Sequence, residues 1–123
     1  MNPLAFVCSE NMVLGNQLLN RLQDLGYRAQ AVGDPRQLLS LARTIKPFLI
    51  VTDLTSRQGD LLAIIKELRE DESTRHIPVL GVTNQTNRQF HADAVSAGAT
   101  LLAMESGILA QLPQLLDQAL ALD

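Results

Sequence analysis

Short apolar runs recur along the chain at residues 4–8, 27–32, 48–53, 78–83 and 100–104, and an amphipathic segment follows each of them. A strand that is apolar on both faces must be covered on both, as in a parallel sheet. The intervening segments repeat their leucines at helical spacing. Leu14, Leu18, Leu22 and Leu25 share one face of 12–25. Leu38, Leu39, Leu41, Ala42 and Ile45 line the helix opened by Asp34. Leu61, Ile64, Ile65 and Leu68 line the helix opened by Asp60. Two further helices are expected over 88–97 and 108–122, the former being the least apolar and so the most exposed. Strands and helices in strict alternation predict an α/β chain: a parallel sheet with helices on both faces and right-handed crossovers.

The punctuation supports these boundaries. Gly26 and Gly98 stand where helices stop. Asp34, Pro35 and Gln37 form a helix start, with a cap, a proline in the first position and a glutamine three residues after the cap. Pro47 requires the second helix to end before it. Pro78 is tolerable at the start of a strand. Pro113 implies either a separate 3₁₀ first turn or a kink in the last helix. Arg28 and Gln30 alternate with alanines, which makes 27–32 an edge strand. The charged run 69–75 is expected to be solvated.

At 123 residues and 46% hydrophobic content, the chain suits a single domain over 1–123 with a core of its own. A formal net charge of −3 with scattered Lys and Arg argues against nucleic-acid binding. One cysteine excludes an internal disulfide and suits a reducing, cytoplasmic setting. No basic leader and no run of membrane-spanning length is present, so no membrane partner is expected. Asn84, Gln85 and Thr86 match a glycosylation acceptor, a match of almost no weight in that setting. His76 and His91 lack ligand spacing, and Cys8 reads as a small core residue. No nucleophile–base pair, metal-ligand cluster or nucleotide loop marks a conventional enzyme.

The chemistry centres on Asp53. Five residues before it, Phe48, Leu49, Ile50, Val51 and Thr52, read as a buried strand, and a carboxylate at the mouth of such a strand is costly unless it is used. In open α/β sheets the carboxyl ends of the strands form the ligand crevice. The order 2-1-3-4-5, borrowed from flavodoxin-like proteins, would set Glu10 beside Asp53, then Thr83, then Glu105 along one rim.

Over nearly its whole length the chain resembles the receiver domain of two-component response regulators. Pro47, followed by Phe-Leu-Ile-Val-Thr and Asp53, matches the family's phosphoacceptor strand, with Phe48 in place of an acid. Ile77 and Pro78, followed by Val-Leu-Gly-Val and Thr83, match its fourth strand and hydroxyl position. Gly98 and Ala99 precede the fifth strand as they commonly do. The resemblance implies a flavodoxin-like sandwich of five strands and five helices. It implies Asp53 as phosphoacceptor from a histidine kinase, Thr83 as its hydroxyl partner, and signalling through the face spanning 88–122. A Mg²⁺ ion is implied, held by Glu10, Asp53 and the carbonyl of Thr55, with Ser9 standing weakly where the family has a second acid.

The departures are as specific. Glu105 and Ser106 replace the family's Lys-Pro, Leu102 replaces an aromatic, and the loop after Asp53 lacks the usual Met-Pro-Gly. An acyl phosphate adds close to two negative charges, and phosphoryl transfer relies on cations. Arg57 is the candidate substitute cation. The alternative is a pseudo-receiver, an interaction module that needs no phosphate, with homodimerisation also open. A flavodoxin-like FMN site is disfavoured, because Glu10 stands where a phosphate-cradling loop would lie.

Overall fold

The computed structural model describes residues 3–54, 60–84 and 87–121. Its elements are β1 (Leu4–Cys8), α1 (Met12–Asp24), β2 (Arg28–Ala31), α2 (Leu38–Ile45), β3 (Leu49–Asp53), α3 (Leu61–Glu70), β4 (Val79–Thr83), α4 (Arg88–Ala97), β5 (Leu101–Met104) and α5 (Ile108–Ala121). The five strands form one sheet in the order β2-β1-β3-β4-β5, and every neighbouring pair is parallel. Both β2 and β5 are therefore edges.

Alternation along the buried strands divides the core into two layers. Val7, Val51 and Val82 face α1 and α5, where Leu14, Leu18, Leu22, Leu112 and Leu116 pack on them. Phe6, Ile50 and Val79 face α2, α3 and α4, and meet Leu38, Ala42, Ile65, Leu68 and Ala94. Each fully buried leucine contributes about 1.5–3 kcal/mol relative to exposure. Only Ala94 of α4 is buried, and Val95 on the same helix is 58% exposed, in keeping with its polar sequence. Leu54 and Leu102 close over Gly81, where a Cβ would stand 2.8 Å and 2.9 Å from their methyl groups.

Side-chain caps set three helix starts. Asn11 Oδ1 accepts from the amides of Val13 and Leu14 at 3.1 and 3.2 Å. Asp60 Oδ1 accepts from the Ala63 amide at 3.2 Å. Asn87 Oδ1 accepts from the Gln89 and Phe90 amides at 2.7 and 3.3 Å. At the end of α2, Lys46 adopts a left-handed conformation with φ 56°. The following Pro47 disfavours the right-handed helical conformation there, so the chain leaves the helix through a residue that is not glycine.

Two expectations are corrected, and of the two readings offered for Pro113 the separate 3₁₀ turn is excluded. Asp34 caps a separate 3₁₀ turn, Pro35–Gln37, and α2 begins only at Leu38 with no side-chain cap from Gln37. Pro113 lies inside α5, which is one continuous helix from Ile108, with no separate 3₁₀ piece. The run 69–75 is built into the structure rather than solvated. Thr74 is buried and donates to the Leu68 carbonyl at 2.7 Å. Asp71 pairs with Arg43. Arg69 donates to the carbonyl of Gly98 at 2.6 Å, and also to the Arg75 carbonyl and Thr100 Oγ1. Its aliphatic stem occupies the space a Cβ on Gly98 would need, and Gly98 itself has φ 124°. Arg69 thus ties the end of α3 to the turn between α4 and β5.

Candidate functional site

A parallel sheet brings the carboxyl ends of all its strands to one rim. The register pairs Cys8 with Thr52, Asp53 with Val82, and Thr83 with Met104. Ser9, Asp53, Thr83 and Glu105 therefore occupy successive columns of that rim. Asp53 is 2% exposed and Thr83 is fully buried. The Ser9 hydroxyl lies 3.0 Å from the Asn11 carbonyl and 3.2 Å from Asp53 Oδ2, so its one proton is divided between them. Ser9, the weakest of the expected site residues, thus reaches the Asp53 carboxylate directly.

On the far column, the Glu105 amide donates to the Thr83 carbonyl at 2.9 Å and fixes the start of the turn after β5. The Glu105 carboxylate accepts from Asn11 Nδ2 at 3.5 Å. It is therefore turned across the rim toward the start of α1. Asn11 caps α1 through its oxygen and reaches toward Glu105 with its nitrogen. The capping role is legible from an Asn placed just before helical periodicity. The link to Glu105 spans 94 residues of sequence and depends on the strand order. Glu10 is exposed and borders a cavity between α1 and the end of β2. Thr55 and Arg57, the expected carbonyl ligand and substitute cation, lie outside the described residues.

Cys8 sits beneath the rim, and burial pushes its thiol up to about 11, with the Asp34 and Asp53 charges adding to the rise against the opposing Thr52 hydroxyl. It stays a neutral core side chain at ordinary pH and is no nucleophile. Thr52 Oγ1 is buried and has no nitrogen or oxygen partner among the described residues. In the strand register Thr52 pairs with Cys8 on β1.

Among the described residues, no group of three or more His, Cys, Asp and Glu side chains is arranged to hold a metal ion. The three acids of the rim do not form a closed carboxylate cage. The donors present, a buried carboxylate with a hydroxyl on it and an exposed glutamate next in sequence, are all hard oxygens. They fit Mg²⁺, which takes one or two carboxylates and keeps several waters. They would not satisfy a cation that needs a full set of protein ligands.

A five-stranded doubly wound sheet with a buried aspartate closing its third strand is the architecture of a receiver. The chain is 36% identical over 82 residues to the polar-differentiation response regulator DivK of Brucella anthropi, covering 66% of this chain and 67% of that protein. It is 28% identical over 100 residues to the chemotaxis protein CheY-3 of Vibrio cholerae serotype O1, covering 80% and 77%. Among solved structures, the receiver domain of a sensor histidine kinase from Pseudomonas aeruginosa PAO1, described with a magnesium ion coordinated in its active-site cleft, superposes with a TM-score of 0.88. That pair is 21% identical, with 98% of this chain and 99% of the other covered. No family model matches the chain. The chain belongs to the receiver family of two-component response regulators. No helix among the described residues is long and apolar enough to cross a membrane.

Proposed function

We propose that Asp53 accepts a phosphoryl group from a histidine kinase or another phosphodonor protein, and that it does so atypically because Glu105 stands where the family places a lysine. The observation that carries this reading is the buried Asp53 carboxylate at the tip of β3, with the Ser9 hydroxyl on one side and the fully buried Thr83 on the adjoining strand. In the step, an Asp53 oxygen forms a bond to phosphorus as the phosphorus–nitrogen bond of the donor phosphohistidine breaks, and the departing imidazole keeps the electron pair and takes a proton. Asp53 and Glu10 would hold Mg²⁺, with the Thr55 carbonyl and weakly Ser9 as further donors. The ion would neutralise charge on the transferring oxygens. Thr83, at the end of β4, would meet the phosphoryl group, and Arg57 is the chain's own candidate cation. The output surface is then the α4-β5-α5 face, through which a downstream signalling protein, or a second copy of this chain, would dock. The proposed setting is the cytoplasm, with residues 1–123 acting as one domain.

A second reading, a pseudo-receiver that binds its partner without phosphate, is favoured by one contact. The Glu105 carboxylate lies 3.5 Å from Asn11 Nδ2 at the rim, where it would oppose the charge of a phosphoryl group. Incubation with acetyl phosphate and Mg²⁺ separates the two readings. The phosphoacceptor reading expects a one-phosphate mass increase that is absent in Asp53→Asn. An unchanged mass for the parent protein, under conditions that label an ordinary receiver, overturns it in favour of the second.

A further inference from the structure

The packing of α4 explains little of its place in the fold. Of its side chains only Ala94 is buried, while Phe90 and Ala97 are partly buried against the layer of α2 and α3 and Val95 faces solvent. Its own charges do not favour it either. Arg88 opens the helix, at the positive end of the helix dipole, and the last turn carries no basic residue to meet the negative end.

The missing cation comes from α3. Arg69 Nε donates to the carbonyl of Gly98, the residue that ends α4, at 2.6 Å. One terminal nitrogen donates to the Arg75 carbonyl and the other to Thr100 Oγ1. Thr100 Oγ1 also accepts from the amide of Val79, the first residue of β4, at 3.1 Å. One guanidinium thus joins the turn after α3, the end of α4 and the approach to β4 and β5. The planar fork of arginine suits acceptors in three directions, which a lysine does not span. The contact is also steric, because a Cβ on Gly98 would fall on Arg69 Cγ. Among the described residues no carboxylate partners Arg69. Burial lowers its pKa, but an arginine stays charged. The oxygens that satisfy this half-buried charge are therefore the ones that fix the end of α4.

We propose that Arg69 is a positioning residue for α4, a clamp reaching from α3, and that when it lets go α4 opens as a unit while the five strands stay folded. Few buried side chains and an end secured by polar contacts mark a segment that opens below the global transition. Because α4 lies in the face proposed above for output, the clamp sets how readily that face changes shape. That consequence rests on the receiver reading, whereas the opening itself needs no phosphoryl group.

The test is native-state hydrogen exchange on ¹⁵N-labelled protein as a function of urea. In the parent, the amides of Ala94, Val95 and Ser96 are expected to open together, with a smaller urea dependence than those of Val51 and Leu80, since less surface is exposed. Arg69→Met keeps most of the aliphatic stem and removes the three donors. Its α4 amides should exchange about tenfold or more faster, the equivalent of one charge-assisted hydrogen bond. Val7→Ala alters the layer on the other side of the sheet. It should speed the amides of Val51 and Leu80 and leave those of α4 at the parental rate, because α4 opens with that layer intact. If Arg69→Met does not fold, Arg69→Lys, which keeps the charge and loses the fork, takes its place with the same expectation. An α4 that shares the urea dependence of the strands, α4 rates unchanged in the Arg69 variant, or α4 rates raised by Val7→Ala overturns the proposal. The measurement contains no phosphodonor, so its result is independent of whether Asp53 is phosphorylated.

Discussion

Glu105 is the residue on which the proposed chemistry turns. Its amide donates to the Thr83 carbonyl, and its carboxylate lies 3.5 Å from Asn11 Nδ2, on the side of the rim where α1 begins. A phosphoryl group on Asp53 would add about −1.5 to −2 at the same rim, with a carboxylate in place of a cation. One charge-assisted hydrogen bond contributes about 1.5–3 kcal/mol, and 1.4 kcal/mol is tenfold in an equilibrium constant. Glu105→Lys is therefore expected to raise the fraction of Asp53 phosphorylated by acetyl phosphate by about tenfold or more, measured by intact mass against time. An unchanged fraction would mean that this position does not limit phosphorylation. The residue identities at this rim were legible in the sequence, because each strand announced where it ended. The contacts of Ser9 with Asp53 and of Asn11 with Glu105 were not. They join residues 44 and 94 positions apart, and no local pattern encodes which of two neighbouring polar side chains turns inward.

At the scale of elements, the segment after α3 shows how a charged sequence becomes architecture. The Asp71 carboxylate is held by the Ser73 hydroxyl at 2.6 Å, the Ser73 amide at 2.9 Å and Arg43 Nε at 2.6 Å. Ser73 first, then Arg43, brings its pKa down to about 2. An unfolded aspartate titrates near 3.9. Between these values the folded chain keeps Asp71 ionised while the unfolded chain takes up a proton. The contribution to stability is therefore fully present above pH ~4 and is lost as pH falls toward 2. Asp71→Asn should be less stable than the parent at neutral pH, and the gap should close over that acid window. Urea midpoints measured against pH check this, and a gap constant down to pH 2 would contradict it. Sequence reading located every strand and helix, since hydrophobic period and turn residues are local signals. It misjudged 69–75 because charge alone does not distinguish a solvated run from one whose partners lie on α2 and at the α4–β5 turn. It also merged the 3₁₀ turn with α2, since the cap and proline signals suit either kind of helix start.

For the whole molecule, the sheet is a shared wall between two apolar layers, and neither layer is closed without it. Val51 serves one layer and Ile50 the other, one residue apart on the same strand. Loss of packing on either side should therefore release both, making the chain one cooperative unit. The sequence provides the reporter, with one tyrosine and no tryptophan. Tyr27 stacks on Phe48 at 5.0 Å and packs against the α1–α5 layer. Ile65, 1% exposed, belongs to the opposite layer. Ile65→Ala is expected to cost about 2–5 kcal/mol. The loss should appear equally in the urea midpoint read by Tyr27 fluorescence and in that read by far-ultraviolet circular dichroism, as a two-state transition requires. A Tyr27 transition that keeps its parental midpoint while the dichroism shifts would show the two layers unfolding separately and would remove the single-domain reading. Coincident transitions would mean that a change in packing on the α4 side is energetically coupled to the α1 side. That coupling is what a receiver needs if an event at Asp53 is to be read on a distant face.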